Sequence, residues 1–248
     1  GRHILHHFQW EYSWPRSEVV YAPVFRHVRS CDNQSFSPSH VDRVHLWKSG
    51  RKLMVRVGLV MLQGARHAHI SALNEASEDC GIPIEIIEIR KLEQLHNSDP
   101  DALIIPGGES TTMRKTGKDD ASSLMPGMFE WIRANRSKPI LGTCAGAILL
   151  ADPQDGSSPL IKAVLNRNAY GSQYESFQAA VHSTLLDREF PGVFIRAPRF
   201  VSADGDICAT HGDEVVGVKN GMVIGLTFHP ELSPDRGFHK WIIENAKV

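Results

Sequence analysis

Between residues 55 and 144 the chain repeats one pattern: a short apolar run, a turn, a longer stretch with helical spacing, then another run. "VRVGLVML" (55–62), "IEIIEI" (84–89), "ALIIPGG" (102–108) and "PILGTC" (139–144) read as strands. "HAHISALNEASEDCG" (67–81), a short polar stretch near 91–96 and "PGMFEWIRANR" (126–136) read as helices between them. Near-continuous apolar strands separated by helices predict parallel βαβ units covered on both faces. After residue 151 the pattern changes to shorter strands, near 160–165, 175–181, 192–196, 207–209, 214–218 and 222–228, then a terminal helix from about 234. The expectation is one continuous domain, 54–248, around a mixed sheet.

In such a sheet ligands gather at the carboxyl ends of the parallel strands. Gln63, the Gly107-Gly108 pair and Cys144 all fall there. Cys144 stands in "LGTCAGAILLA", where a strand passes at once into a small-residue helix with a glycine two residues to either side. That is the layout of a nucleophile elbow, with cysteine in place of serine. Taken alone, Cys144 fits a small buried core residue equally well. A nucleophilic thiol needs a base, and the base needs a group to orient it. "GMVIGLTFHPEL" (221–232) supplies His229 and Glu231, two apart and on one face of an extended segment, just past an apolar strand. "PGGEST" (106–111) supplies two glycines whose backbone N–H groups can face a substrate, together with the N–H of Ala145. An ordinary strand-to-helix turn capped by Glu109 or Ser110 is the alternative for that segment.

Composition narrows the function classes. With 27 Lys+Arg against 28 Asp+Glu the formal charge is -1, without the basic footprint of a nucleic-acid or anionic-membrane binder. No apolar run approaches the roughly 18 residues of a membrane-spanning helix. The four cysteines (Cys31, Cys80, Cys144, Cys208) are widely spaced, against a disulfide framework or structural zinc site and in keeping with a reducing, cytoplasmic setting.

Residues 1–53 differ from the rest. They hold His3, His6, His7, His27, His40 and His45, and Trp10, Trp14 and Trp47, without sustained helical or strand periodicity. No apolar core of a secretory signal is present, and scattered acids fit a transit peptide poorly. They are expected to be an irregular extension, disordered or non-native, with Met54 the natural start.

Taken together, "LQGA" (62–65), "PGGESTTM" (106–113), "LGTCAGAILLA" (141–151), "RNAYGSQ" (167–173), "FIRAP" (194–198) and "FHPEL" (228–232) resemble the class I glutamine amidotransferases. Within them, the set is similar to the family of glutaminase subunits of pyridoxal 5′-phosphate synthase. The resemblance runs from about Val55 to the C-terminus. It implies an α/β fold: a flavodoxin-like three-layer class I glutamine amidotransferase domain with a mixed, mainly parallel sheet. It implies hydrolysis of L-glutamine to L-glutamate and ammonia, with Cys144 the nucleophile, His229 the base and Glu231 its orienter. Gly108, Glu109, Ser110, Arg167, Ile195 and Arg196 would line the glutamine site, Arg196 being suited to a carboxylate. No metal and no cofactor is implied. The implied partner is a separate pyridoxal 5′-phosphate synthase subunit in a hetero-oligomer, with no nucleic acid and no membrane. A glutaminase of another amidotransferase and a stand-alone γ-glutamyl cysteine hydrolase are the alternatives. Two positions depart from the family pattern: Ala68 stands where glutamate is usual before His69, and Ser172 where arginine is usual.

Overall fold

The computed structural model describes residues 54–63, 66–118, 124–167 and 176–246. The extension 1–53, Gly64-Ala65 and most of the "RNAYGSQ" segment, Ser172 included, lie outside the described residues.

Four strands and five helices alternate first: β1 (Val55–Val60), α1 (Arg66–Cys80), β2 (Ile84–Ile89), α2 (Leu92–Ser98), β3 (Ala102–Ile105), α3 (Ser110–Lys118), α4 (Leu124–Ala134), β4 (Ile140–Thr143) and α5 (Ala145–Ala151). Then come β5 (Ala163–Asn166), β6 (Ser176–Ser183), β7 (Arg188–Ile195), β8 (Arg199–Ala203), β9 (Asp206–His211), β10 (Glu214–Asn220), β11 (Val223–Leu226), a 3-10 turn at Pro230–Leu232 and α6 (Gly237–Asn245). The main sheet has nine strands in the order β2-β1-β3-β4-β11-β10-β9-β6-β7. From β2 to β11 every pairing is parallel, and from β11 to β7 every pairing is antiparallel. β5 and β8 form a separate antiparallel pair.

The parallel part follows the doubly wound order 2-1-3-4-5, in which the direction of winding reverses beside β1. Successive residues of a strand point to opposite faces, and the core divides accordingly. Ala102 and Ile104, with Leu141 and Ile224, pack on one face with Leu73 and Ala76 of α1 and Phe238 and Ile242 of α6. Leu103 and Ile105, with Ile140 and Val223, pack on the other with Met113, Phe129 and Leu149. The result is three layers, helix–sheet–helix. Each of these large side chains is essentially inaccessible, and full burial stabilises by about 1.5–3 kcal/mol apiece.

The alternating N-terminal elements match the sequence reading to within a few residues. α3 is the helix of the capped strand-to-helix turn that the sequence left as the alternative here, although Ser110-Thr-Thr-Met-Arg-Lys-Thr-Gly-Lys118 carries three threonines and a glycine, all weak helix formers. Its start is secured by a local cap at Glu109. The terminal helix begins at Gly237 rather than near 234. Pro230–Leu232 first makes its 3-10 turn, and the Asp235 carboxylate accepts the Gly237 N–H at 2.8 Å. No helix among the described residues is long and apolar enough to cross a membrane.

Candidate active site

Three adjacent parallel strands, β3, β4 and β11, end side by side, and each delivers a piece of the site. β4 delivers Cys144. Its backbone stands at φ 49 and ψ -106, a conformation costly for a residue with a Cβ. The fold holds it there from both sides. The Cys144 N–H donates to the Leu226 carbonyl of β11 at 2.8 Å, while its own carbonyl accepts from Ala147 N–H at 3.1 Å in the following helix. Gly146 makes the sharp turn feasible, because a Cβ there would lie 2.1 Å from the Ile105 carbonyl oxygen. Only hydrogen fits between the start of α5 and the end of β3.

β11 delivers the second piece. The chain leaves it through Thr227 and Phe228, and His229 N–H donates to the Val193 carbonyl of β7 at 2.8 Å. This fixes the imidazole on the Cys144 side of the site, where the Gly107 peptide lies against both side chains. On its other side, His229 Nδ1 lies 2.7 Å from Glu231 Oε1. Because a carboxylate can only accept, that nitrogen carries the proton, which leaves Nε2 to exchange a proton with the sulfur. Burial disfavours a charge on His229, but Cys144 and Glu231 on either side outweigh it and hold its pKa up at about 10. Burial likewise pushes Glu231 up, and His69 and His229 together bring it down to about 2. The centre is therefore an ionised carboxylate beside an imidazolium, the arrangement that stabilises a thiolate nucleophile.

β3 delivers the third piece. A Cβ on Gly107 would sit 2.7 Å from His229 Cε1 and 3.2 Å from Cys144 Cβ, so this peptide lies directly against both side chains. Beyond Gly108, Glu109 N–H donates to Gln63 Oε1 at 2.8 Å, bracing the loop from the end of β1. The Glu109 carboxylate accepts Thr111 N–H at 2.8 Å and Thr112 N–H at 2.6 Å, and also the Thr112 hydroxyl. These bonds, the Thr112 hydroxyl foremost, hold Glu109 at about 2. Its side chain thus caps α3, and its backbone faces Gln63. Ser110 is buried at the first position of that helix.

Cys144, His229, Glu231 and the Gly107-Gly108 loop come together. The remaining residues expected at the site stand further along their elements. Ile195 ends β7, and Arg196 follows at φ 42, two and three residues past the Val193 carbonyl that holds His229. Arg167 follows β5, with its guanidinium 3.5 Å from Asp152 at the opposite end of α5 from Cys144. Cys208, by contrast, is a core thiol that burial pushes up to about 12. A cavity lined by Arg133, Asn220 and Val223 lies at the amino-terminal ends of β4 and β11, away from this chemistry, with Arg133 engaged by Asp155 at 2.6 Å.

The profile of the SNO glutamine amidotransferase family matches residues 59–248, three quarters of the chain. The chain belongs to that family. A relative in Thermococcus onnurineus, named pyridoxal 5′-phosphate synthase subunit PdxT, is 43% identical over 204 residues, 78% of this chain and 100% of its own. Another of the same name, from Anoxybacillus flavithermus, is 40% identical over 78% of this chain and 98% of its own. Among solved structures, one described as a glutamine amidotransferase superposes with a TM-score of 0.63 at 37% identity, covering 77% of this chain and 98% of that one. Membership in the SNO family agrees with the doubly wound sheet and with the elbow cysteine. Two buried groups of this SNO-family site were not singled out from the sequence, His69 and His239. His69 occupies an ordinary core position on α1 with Ala72, Leu73 and Ala76, and only its place after "LQGA" marks it.

Proposed function

We propose that the chain is a glutaminase that hydrolyses L-glutamine to L-glutamate and ammonia and hands the ammonia to a separate pyridoxal 5′-phosphate synthase subunit in a cytoplasmic complex. The observation that carries this reading is the meeting of Cys144 with the hydrogen-bonded His229–Glu231 pair around the Gly107 peptide, at the carboxyl edge of the parallel strands. The names of the 40–43% identical relatives support the choice of partner.

In this mechanism the Cys144 thiolate attacks the side-chain amide carbon of glutamine. The developing oxyanion rests on the N–H groups of Gly108 and Ala145. His229 gives its Nε2 proton to the departing ammonia, leaving a γ-glutamyl thioester on Cys144. A water molecule then loses a proton to the same nitrogen, attacks the thioester, and glutamate leaves. Glu231 stays ionised throughout and holds the imidazole in one tautomer. Arg196 is assigned to the α-carboxylate of glutamine, where a guanidinium can bind both oxygens, and Ile195, Glu109 and Ser110 to the walls of the site; Arg167 joins them only by turning from Asp152 at the far end of α5. No step needs a metal or cofactor. The domain is taken as 54–248, with 1–53 outside the catalytic unit.

A diazo-ketone analogue of glutamine tests the assignment. It should alkylate Cys144 and spare Cys31, Cys80 and Cys208, and glutamine should protect against it. Labelling spread over the four thiols would reject Cys144 as the nucleophile.

A further inference from the structure

Glu231 has two carboxylate oxygens, and the mechanism uses one. Oε1 accepts from His229, while Oε2 faces Nε2 of His69 at 3.5 Å. Neither Oε2 nor that Nε2 has a hydrogen-bond partner among the described residues. Behind it, His69 Nδ1 lies 3.2 Å from His239 Nε2, with the two rings tilted at 52°. Both histidines are completely buried. They occupy core positions of two packed helices, His69 beside Ala72 and Leu73 in α1, His239 beside Ile242 and Ile243 in α6. A buried polar ring at such a position is costly unless its nitrogens are satisfied, so its presence calls for an account.

We propose that His69 and His239 are positioning residues that hold the second oxygen of Glu231, extending the row Cys144–His229–Glu231 by two neutral rings. This rests on the reading of Glu231 as the orienter of His229. The proton assignment follows from the partners. A lone pair of His69 Nε2 aimed at a carboxylate would repel it, so Nε2 carries the proton and Nδ1 accepts. His239 must then donate through its Nε2, and its unpartnered Nδ1 is a bare lone pair. The opposite assignment sets a lone pair against the Glu231 charge and strands an N–H on His239 Nδ1. Every donor in the row therefore points toward Glu231.

Both rings are neutral because both are completely buried. The Glu231 charge is already met by the His229 imidazolium, and a cation on either ring would be wholly enclosed away from water. Burial drives both pKa values down, for His239 to about 3. The groups acting on the pair are Glu231 and His229 beside His69, and Glu231 and Arg236 on His239. Arg236 is itself held by Glu75 of α1 at 2.8 Å. A neutral N–H on Oε2 stops the carboxylate from rotating without competing for the charge that holds His229. The Ala68 departure from the family pattern stands immediately before this histidine, on a partly exposed face of α1.

Two measurements on the full chain test the proposal. Imidazole nitrogen chemical shifts of the ¹⁵N-histidine-labelled wild type should show His69 and His239 neutral, with the proton on Nε2, from pH 6 to pH 8. A cationic His69, or its Nδ1–H tautomer, would overturn the proposal whatever the enzyme does. In glutaminase assays with the synthase subunit, His69→Leu should lower kcat by about 10- to 100-fold, the range for groups that orient a reacting residue from behind. KM for glutamine should stay within about twofold, because the ring does not touch substrate. The acid limb of the kcat/KM profile should move to higher pH, since Glu231 loses an N–H that favours its ionised form. His69→Gln, which keeps an N–H near the Nε2 position, should recover much of the rate. A wild-type kcat and pH profile in His69→Leu, or no advantage of Gln over Leu, would contradict it. Should His69→Leu fail to fold, the tautomer measurement on the wild type decides. A wild type that hydrolyses no glutamine would defeat the functional reading, leaving the tautomers as a separate question.

Discussion

His229 Nδ1 and Glu231 Oε1 stand 2.7 Å apart with a single proline between their residues. Pro230 opens the 3-10 turn that folds the carboxylate back under the imidazole it follows. Proximity in sequence and proximity in space therefore coincide, and the pair travels as one unit at the end of β11.

Replacing that carboxylate by its amide tests the pair. Glu231→Gln keeps the volume but removes the charge and lets the wrong tautomer of His229 compete. The expected result is a loss of about 10²–10⁴ in kcat, on the scale seen when a triad carboxylate becomes an amide, together with a lower melting temperature because the buried pair with His229 is broken. Steady-state glutamate release beside a melting curve measures both. Retained turnover would mean that Glu231 does not orient the base.

Gly107 and Gly146 should fail in different ways. Gly107→Ala places a methyl 2.7 Å from His229 Cε1, where a side chain can swing aside, so activity should fall far more than stability. Gly146→Ala places it 2.1 Å from a backbone oxygen of β3, which cannot move alone. That variant should lose about 1–3 kcal/mol or more of stability. Urea titrations and activity assays of the two variants separate the outcomes, and equal effects on both would refute the contrast.

How stability depends on pH follows from the buried row. His239 has its folded pKa depressed to about 3 and that of His69 is also lowered, so the unfolded chain binds more protons below about pH 6.5. Their contribution is present above that pH and is lost as pH falls. Glu231, held at about 2, adds further loss below about pH 4.5. His229 has the opposite sign: raised to about 10, it stabilises fully below about pH 6.5, and that contribution fades as pH rises through 10. Urea midpoints should peak near pH 6.5, with the acid decline beginning above the carboxylate range. His239→Leu should flatten that early decline. An acid decline that begins only below pH 5 would contradict the assignment.

Much of this site was legible because its signals are local. The apolar runs that become β1 to β4 report burial on both faces, and Cys144 is set between a strand and a small-residue helix by glycines only four positions apart. His229 and Glu231 needed only the two-residue period of an extended chain. What could not be read is what depends on distance through the fold. The meeting of His69 with His239 spans 170 residues, and each histidine sits in the apolar stripe of its own helix without any local mark of the other. β8, with exposed Val201, carries no clean alternation.

The extension offers a clean comparison. A chain beginning at Met54 should melt at the same temperature as the full chain and release glutamate at the same rate. A large drop in melting temperature would show that residues 1–53 contribute to the catalytic unit.

The most direct test of the central claim is steady-state glutamate release by the wild type and by Cys144→Ala across a titration of the synthase subunit. The Gly107-Gly108 loop, proposed to hold the oxyanion, is braced through Gln63 and Glu109, a contact that docking of the proposed partner would tighten. One misplaced oxyanion donor costs about 10²–10³ in rate, so the wild type should be slow alone and rise steeply with added synthase. Cys144→Ala, whose methyl fits among its small neighbours, should remain at background throughout while keeping its melting temperature. Glutamate release by Cys144→Ala at the wild-type rate would contradict the account.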